Sequence, residues 1–182
     1  MINGVATLKS NSLAVGAHSI TASYAGSAIF ANSASSPTSH TVNKAGTTTA
    51  LTVTPAGTVF GQVLTLSTRV TANAPGAGTP GGTVTFKNGS TVLGSVTLAN
   101  GAASYPIGGL GVGAYAITAE YGGSIRYEGS TSAPTNHTIG KAATATTLAI
   151  APNPSIIGDT VLFTATVATN APGSGTAGGL VY

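Results

Sequence analysis

Residues 110–124, LGVGAYAITAEYGGS, constrain the fold of this chain more than any other stretch. Every second residue from Tyr115 to Tyr121 falls on one face, and the residues between them are Ala, Thr and Glu. A period of two predicts a β-strand with one buried face. Glycines on both sides of the stretch indicate turns. A similar stretch, LAVGAHSITASYAGS, occupies residues 13–27, so the strand pattern occurs twice.

The two stretches belong to a repeat that covers the whole chain. An offset of about 97 residues aligns all of it without a gap, and about 36 of roughly 85 paired positions are identical. A unit of this length is a whole domain. We expect one complete unit at residues 47–143, the C-terminal half of a unit at 1–46 and the N-terminal half of another at 144–182. The chain then begins and ends inside units, which predicts a fragment of a longer array with an internal start at Met1.

Strand and turn signals fill each unit, and no stretch has sustained helical periodicity. About seven short strands per unit, with turns every 8–12 residues or so, predict an all-β fold of tandem immunoglobulin-like antiparallel β-sandwiches. Asn88 and Gly89 are predicted to form the centre of a two-residue type I′ hairpin loop, and Asn100–Gly101 marks another turn. Residues 130–139 are predicted to form the strand that closes the complete unit.

The composition excludes several classes of partner. The chain has six basic residues, scattered along its length, and three acidic ones. A nucleic-acid-binding surface needs a basic patch, so no nucleic-acid partner is expected. With no cysteine, there is neither a disulfide nor a thiolate metal site. No run approaches the 18–20 or so apolar residues of a membrane span, so no direct membrane insertion is expected. Residues 1–4 have neither a basic nor an apolar signal-peptide region, so no signal peptide is predicted within this chain.

The titratable residues do not form a recurrent site. Glu120, Glu128 and Asp159 have no acidic counterparts at the repeat offset. Acid–base catalysis needs positioned titratable groups, so we predict no enzyme, no catalytic residue and no cofactor. Calcium requires more oxygen ligands than these carboxylates supply, and no metal site is predicted. His40 and His137 do recur; as metal ligands they would lie in different units, and we expect half-buried or solvated strand-face residues.

The Pro/Gly-rich stretch NAPGAGTPGG at residues 73–82 is a candidate partner-binding loop. We expect it to be exposed and free of core residues. Loops at the ends of β-sandwiches often bind partners, which makes Asn73, Pro75 and Thr79 the candidate contact residues. The copy at 170–179 is similar, and neither copy has an aromatic or Arg anchor. This favours a spacer role over recognition.

Three motifs carry a family resemblance: residues 81–98, residues 109–132, and the pattern of Pro and Gly six positions apart at 55–61 and 152–158. With them the chain resembles the bacterial Ig-like domain repeats of large exported and cell-surface proteins. The resemblance implies an extracellular or bacterial cell-surface location, adhesion, stalk or spacer roles, and no shared catalytic residues. We expect a non-catalytic spacer or stalk segment; the alternative is an adhesin-type module that recognises a glycan or protein through its end loops.

The resemblance also implies a structural corner, in which a Tyr near the start of the strand in residues 110–124 forms a hydrogen bond with the backbone upstream. Tyr115 matches this position, whereas the first unit has His18 there, so the corner is not implied for that copy. The expected partners are neighbouring Ig-like repeats of the same parent chain, with a surface glycan or protein as the alternative. The two half units are complementary in strand content, and we expect them to pair, either within one chain or, preferentially, head to tail between molecules.

Overall fold

A computed structural model describes residues 2–182, and Met1, which the sequence assigns to the first half unit, lies outside them. β-Strands are the regular elements of the described residues, and none of these residues belongs to a helix that could span a bilayer. In chain order the strands are β1 (Gly16–Ile20), β2 (Ser23–Tyr24), β3 (Ser33–Ala34), β4 (Thr38–Val42), β5 (Thr47–Thr54), β6 (Thr58–Val59), β7 (Leu64–Ala72), β8 (Thr83–Asn88), β9 (Thr91–Thr97), β10 (Ala102–Ile107), β11 (Gly113–Tyr121), β12 (Ser130–Thr131), β13 (Thr135–Gly140), β14 (Thr144–Ala151) and β15 (Leu162–Thr169).

Strands β5 to β13 form one β-sandwich, which we call the central sandwich. One sheet has the order β10–β7–β5 and the other the order β6–β13–β11–β8–β9, with β12 paired to β11. The pairs are antiparallel except for β6 and β13, which are parallel. Pro55 and Gly57 separate β5 from β6, so the chain crosses from the first sheet to the second at this point. The predicted all-β, immunoglobulin-like class is confirmed.

The period-two pattern places one face of each long strand in the core. Ile117, Ala119 and Tyr121 of β11 are buried, and the residues between them are partly exposed. The opposite sheet contributes Leu64 and Leu66 of β7 in the same way. Burial of this apolar surface, at about 25 cal/mol per Å², is the main favourable term for the fold.

The residues before and after the central sandwich form separate strand pairs. Strand β1 pairs with β4, β2 with β3, and β14 with β15, all antiparallel. No side chain is buried among residues 2–44 or 141–182. The accessible surface is 12320 Å², whereas a compact monomer of this length exposes about 7,900 Å². The division into one complete and two half units stays a prediction of the sequence repeat.

The predicted hairpin loop at Asn88 and Gly89 was wrong by one residue. Asn88 pairs with Thr91, so Gly89 and Ser90 form the loop. Of these residues only Gly89 has a positive φ, 57°, which fits a turn with Gly at the first loop position. Asn88 stays in the strand, where its Oδ1 accepts a hydrogen bond from the Ala116 amide at 3.0 Å.

The closing strand is not continuous, which also differs from the prediction. It is split into β12 and β13 around Pro134. Proline has no N–H to donate to a strand ladder. Ser132 bridges the gap, because its Oγ accepts from the Ala119 amide at 3.0 Å and donates to the Ala133 carbonyl at 2.9 Å. Pro37 separates β3 from β4 in the same way.

Candidate functional site

The candidate loop, residues 73–82, connects β7 to β8 at one end of the central sandwich, and two tyrosines hold it. The Tyr127 hydroxyl donates to the Ala77 carbonyl at 2.9 Å, and the Tyr121 hydroxyl donates to the Gly81 carbonyl at 2.6 Å. Both tyrosines are buried, and so is Pro80 within the loop. The expectation of a loop free of core residues was wrong, because Pro80 is buried.

The three predicted contact residues are all exposed, but each has different neighbours. The Oδ1 of Asn73 accepts from the Thr48 hydroxyl at 2.7 Å, so part of its hydrogen-bonding capacity is already used. Pro75 lies beside residues 43–46, which precede the sandwich. The methyl group of Thr79 lies beside the turn at Gly101. Their role in binding a partner stays a prediction.

Tyr115 makes the backbone contact that the resemblance implies for this position. Its hydroxyl donates to the Gly111 carbonyl at 2.8 Å, four residues upstream. The first copy of the strand makes an equivalent contact with a different side chain, because His18 Nε2 lies 2.7 Å from the Ala14 carbonyl. A carbonyl only accepts, so this bond requires a hydrogen on Nε2 of His18. The corner geometry therefore occurs in both copies of the strand.

The two recurrent histidines have different surroundings. His137 is buried, and its Nε2 lies 2.8 Å from the hydroxyl of Thr58, which is also buried. Strand β6 lies beside this position and supplies Thr58, because it pairs in parallel with β13. The expectation of a half-buried or solvated residue was therefore wrong for His137. His40 is exposed, since no described strand lies beside β4 where β6 lies beside β13.

The charged side chains are dispersed. Lys87 and Glu120 form a partly exposed ion pair between β8 and β11. Asp159 accepts a hydrogen bond from the Ile156 amide at 2.8 Å, and Glu128 is exposed in the segment before β12. Among residues 2–182 no three His, Cys, Asp or Glu side chains cluster as metal ligands would, and no buried side-chain nitrogen or oxygen lacks a partner.

One contact between distant loops was missed by the sequence analysis. The Ser174 amide donates to the Phe60 carbonyl at 3.3 Å, and its hydroxyl donates to the Gly61 carbonyl at 3.0 Å. Gly61 and Ser174 lie 113 positions apart, and none of the three residues belongs to a strand. The sequence contained one signal, the recurrence of Gly61 as Gly158, but a recurrent glycine does not identify the residue that approaches it.

The sequence and the structure were compared with known proteins. The sequence profile described as "Bacterial Ig-like domain (group 3)" matches residues 1–43 and 51–140. Among solved structures, the chain is similar to one described as "Structures of Clostridium thermocellum CbhA fibronectin(III)-like modules". The identity is 28%, the match covers 50% of this chain and 96% of that one, and the TM-score is 0.37. No curated protein sequence matches this chain.

Proposed function

The chain belongs to the bacterial Ig-like domain family (group 3), and from that premise we propose that it is a non-catalytic spacer or stalk segment of a bacterial extracellular or cell-surface protein. Membership of this family supports a structural or surface module. The spacer role is the finer statement that we propose. The proposed partners are neighbouring units of the same kind in one parent chain.

The main observation behind the proposal is that the loop at residues 73–82 is hydrogen-bonded to the sandwich itself. The Tyr121 and Tyr127 hydroxyls bond to the backbone of residues 73–82, and the Asn73 side chain bonds to Thr48. Recognition loops usually present aromatic or Arg side chains to a partner, because such anchors contribute most of the binding energy. Here the aromatic side chains point inward and fix the shape of the loop. A fixed, neutral loop suits a spacer.

The scarcity of charge supports the same role. The whole chain carries nine charged side chains other than histidine, and Lys87 and Glu120 form an ion pair with each other. A surface with few charges produces a weak field and attracts charged ligands poorly. A spacer needs a folded body and a soluble surface, and Thr, Ser and Asn supply the polar groups.

An adhesin-type role is the alternative, and the exposure of Asn73, Pro75 and Thr79 favours it. The loop lies at a sandwich end, where related architectures bind partners. In this alternative a glycan or protein would contact the loop directly.

The spacer role is tested by adding length. We would insert a second copy of residues 47–143 between residues 143 and 144 and measure the maximum dimension by small-angle X-ray scattering. A nine-residue strand such as β11 spans about 30 Å, so we expect the maximum dimension to rise by about 30 Å. An unchanged maximum dimension would mean that the units fold back on one another, which contradicts a spacer.

The adhesin alternative is tested by loop replacement. Residues 73–82 would be replaced by a Gly/Ser loop of equal length, with the same replacement at residues 170–179 as the matched control. Binding would be measured on a glycan array and to immobilised extracellular matrix proteins. The spacer role predicts no saturable binding for any of the three chains. Saturable binding that only the first replacement abolishes would establish the adhesin role and remove the spacer proposal.

A further inference from the structure

The turn at the end of β6, residues 59–62, is held in a fixed shape by the central sandwich. The Val59 amide donates to Gln62 Oε1 at 2.8 Å, and the Gln62 amide donates to the Val59 carbonyl at 3.1 Å. The Phe60 amide donates to the Gly140 carbonyl at 2.9 Å. The carbonyls of Phe60 and Gly61 therefore have defined positions, and both accept hydrogen bonds from Ser174. We call residues 59–62 the first docking turn.

The first docking turn and the loop at 170–179 come close enough for their backbone atoms to be in contact. A Cβ placed on Gly61 would lie 2.6 Å from the Ser174 nitrogen and 2.7 Å from its carbonyl oxygen. On the other side, a Cβ on Gly175 would lie 3.3 Å from the Phe60 ring. Both glycines also have positive φ, 89° and 110°, which other residues adopt at a cost. The close approach therefore excludes a side chain at Gly61, and the positive φ favours glycine at Gly175.

The same turn occurs again in the C-terminal segment, at residues 156–159. The Ile156 amide donates to Asp159 Oδ2 at 2.8 Å, and the Asp159 amide donates to the Ile156 carbonyl at 3.1 Å. Gly158 has a φ of 95° and takes the place of Gly61. Here a Cβ on Gly158 would meet no atom within 4 Å, and Ile157 is fully exposed. We call residues 156–159 the second docking turn.

We propose that each docking turn receives the Asn-Ala-Pro-Gly-x-Gly loop of the unit that follows it and thereby sets the angle between consecutive units. In this chain the loop at 170–179 occupies the first docking turn. The second presents the same backbone groups and an apolar side chain, Ile157, to the corresponding loop of a further unit. The proposal goes beyond the spacer role, since an array of adhesin units would use the same joint.

Two further contacts support a fixed angle between units. The Asn170 amide donates to the Ala143 carbonyl at 2.8 Å, just as the Asn73 amide donates to the Gly46 carbonyl at 2.9 Å. Each loop is thus bound to the short linker that precedes its own unit. The docking turn then attaches the loop to the preceding unit, and the linker is held from both sides.

The first docking turn is tested by Gly61→Ala in the full chain, with Gly158→Ala as the matched control. Both substitutions place a Cβ on a residue with nearly the same positive φ, so the backbone strain is common to both. Only Gly61→Ala collides with the loop. Amide hydrogen exchange of Ser174 is the measurement. We expect at least tenfold faster exchange in Gly61→Ala and no change in Gly158→Ala. Equal exchange in the two variants would overturn the proposal.

The second docking turn is tested by extending the chain. A copy of residues 86–182 appended after Tyr182 keeps the repeat in register and supplies the next loop. In the appended copy, the amide of the serine that corresponds to Ser174 is expected to exchange slowly. Gly158→Ala is expected to speed this exchange at least tenfold. Fast exchange in the unsubstituted extended chain, or no effect of Gly158→Ala, would overturn docking at this turn. The spacer role is read from scattering alone, so the two proposals fail separately.

Discussion

The central sandwich and the two flanking segments, residues 2–44 and 141–182, have the same pattern of apolar residues but bury it to different extents. Ile117 has no exposed surface, whereas its counterpart Ile20, in β1, is 47% exposed. Leu66 is fully buried, whereas its counterpart Phe163, in β15, is 64% exposed. The alternation of apolar residues therefore determines that a strand forms and which face is apolar. It does not determine whether that face is covered.

The difference follows from the neighbours of each strand. Strand β11 lies between β13 and β8, and the sheet of β10, β7 and β5 faces it. Among the strands of residues 2–182, β1 pairs only with β4, and β15 only with β14. A strand pair without a facing sheet cannot bury its apolar side, and two strands alone are marginally stable in water.

The largest difference in the free energy of unfolding is expected between substitutions of Ile117 and its counterpart Ile20. Ile117→Ala leaves a cavity in a close-packed core and is expected to lower the free energy of unfolding by about 2–5 kcal/mol. Ile20→Ala removes a half-exposed side chain and should change it by less than about 0.5 kcal/mol. Urea denaturation of the full chain, followed by tyrosine fluorescence, measures both. Equal losses would mean that β1 is packed as tightly as β11.

A second test concerns the buried hydrogen bond of His137. Thr58→Val removes the hydroxyl at similar volume and leaves Nε2 of His137 without a partner, which should cost about 1–3 kcal/mol. The matched control is Ser155→Ala, because Ser155 occupies the same repeat position and is exposed. The control should change the free energy of unfolding by less than about 0.5 kcal/mol. A neutral Thr58→Val would show that the bond does not hold β6 against β13.

A third test converts a core residue into its flanking counterpart. Tyr127→Phe removes the hydrogen bond to Ala77 and should lower the free energy of unfolding by about 0.5–1.5 kcal/mol. The reverse change, Phe30→Tyr, adds a hydroxyl to an exposed ring and should have almost no effect. Denaturation midpoints give the energies, and the NMR signals of Ala77 and Gly78 report on the loop. Unchanged loop signals in Tyr127→Phe would count against anchoring by the tyrosine.

The smallest change in the free energy of unfolding is expected when the ion pair of Lys87 and Glu120 is removed. Glu120→Ser introduces the residue found at the corresponding flanking position, Ser23, and should lower the free energy of unfolding by less than about 1 kcal/mol. Because salt screens exposed charges, the difference should shrink at high ionic strength. A loss above this range that persists in salt would show that the ion pair is a larger contributor than its exposure indicates.

The strands of the central sandwich were largely predictable from the sequence, because their alternation is local. The turn at Asn100–Gly101 was also predictable, since both residues have the positive φ, 52° and 75°, of a type I′ loop. The loop at Gly89–Ser90 was misplaced because the Asn88 side chain bonds to another strand. That bond depends on the fold as a whole and leaves no local pattern.

The candidate site was less predictable than the fold. Exposure of Asn73 and Pro75 followed from composition, but the anchoring of their loop by Tyr127 did not, because the counterpart residue Phe30 lacks the hydroxyl. The burial of His137 depends on the crossing of β6 to the second sheet. A sequence pattern indicates which face a residue occupies, and long-range pairing determines what covers that face.

Native-state amide hydrogen exchange on the full chain tests the comparison most directly, through one matched pair of amides. Ala119 donates to the Ser132 hydroxyl at 3.0 Å, and Ala22 donates to the Ser35 hydroxyl at the same distance. The hydrogen bonds are equivalent, and only the packing around them differs. We predict that Ala119 exchanges through global unfolding, at least about a thousandfold more slowly than Ala22, which opens locally. Equal protection of the two amides would contradict the account, because the flanking strands would then be as stably folded as the central sandwich.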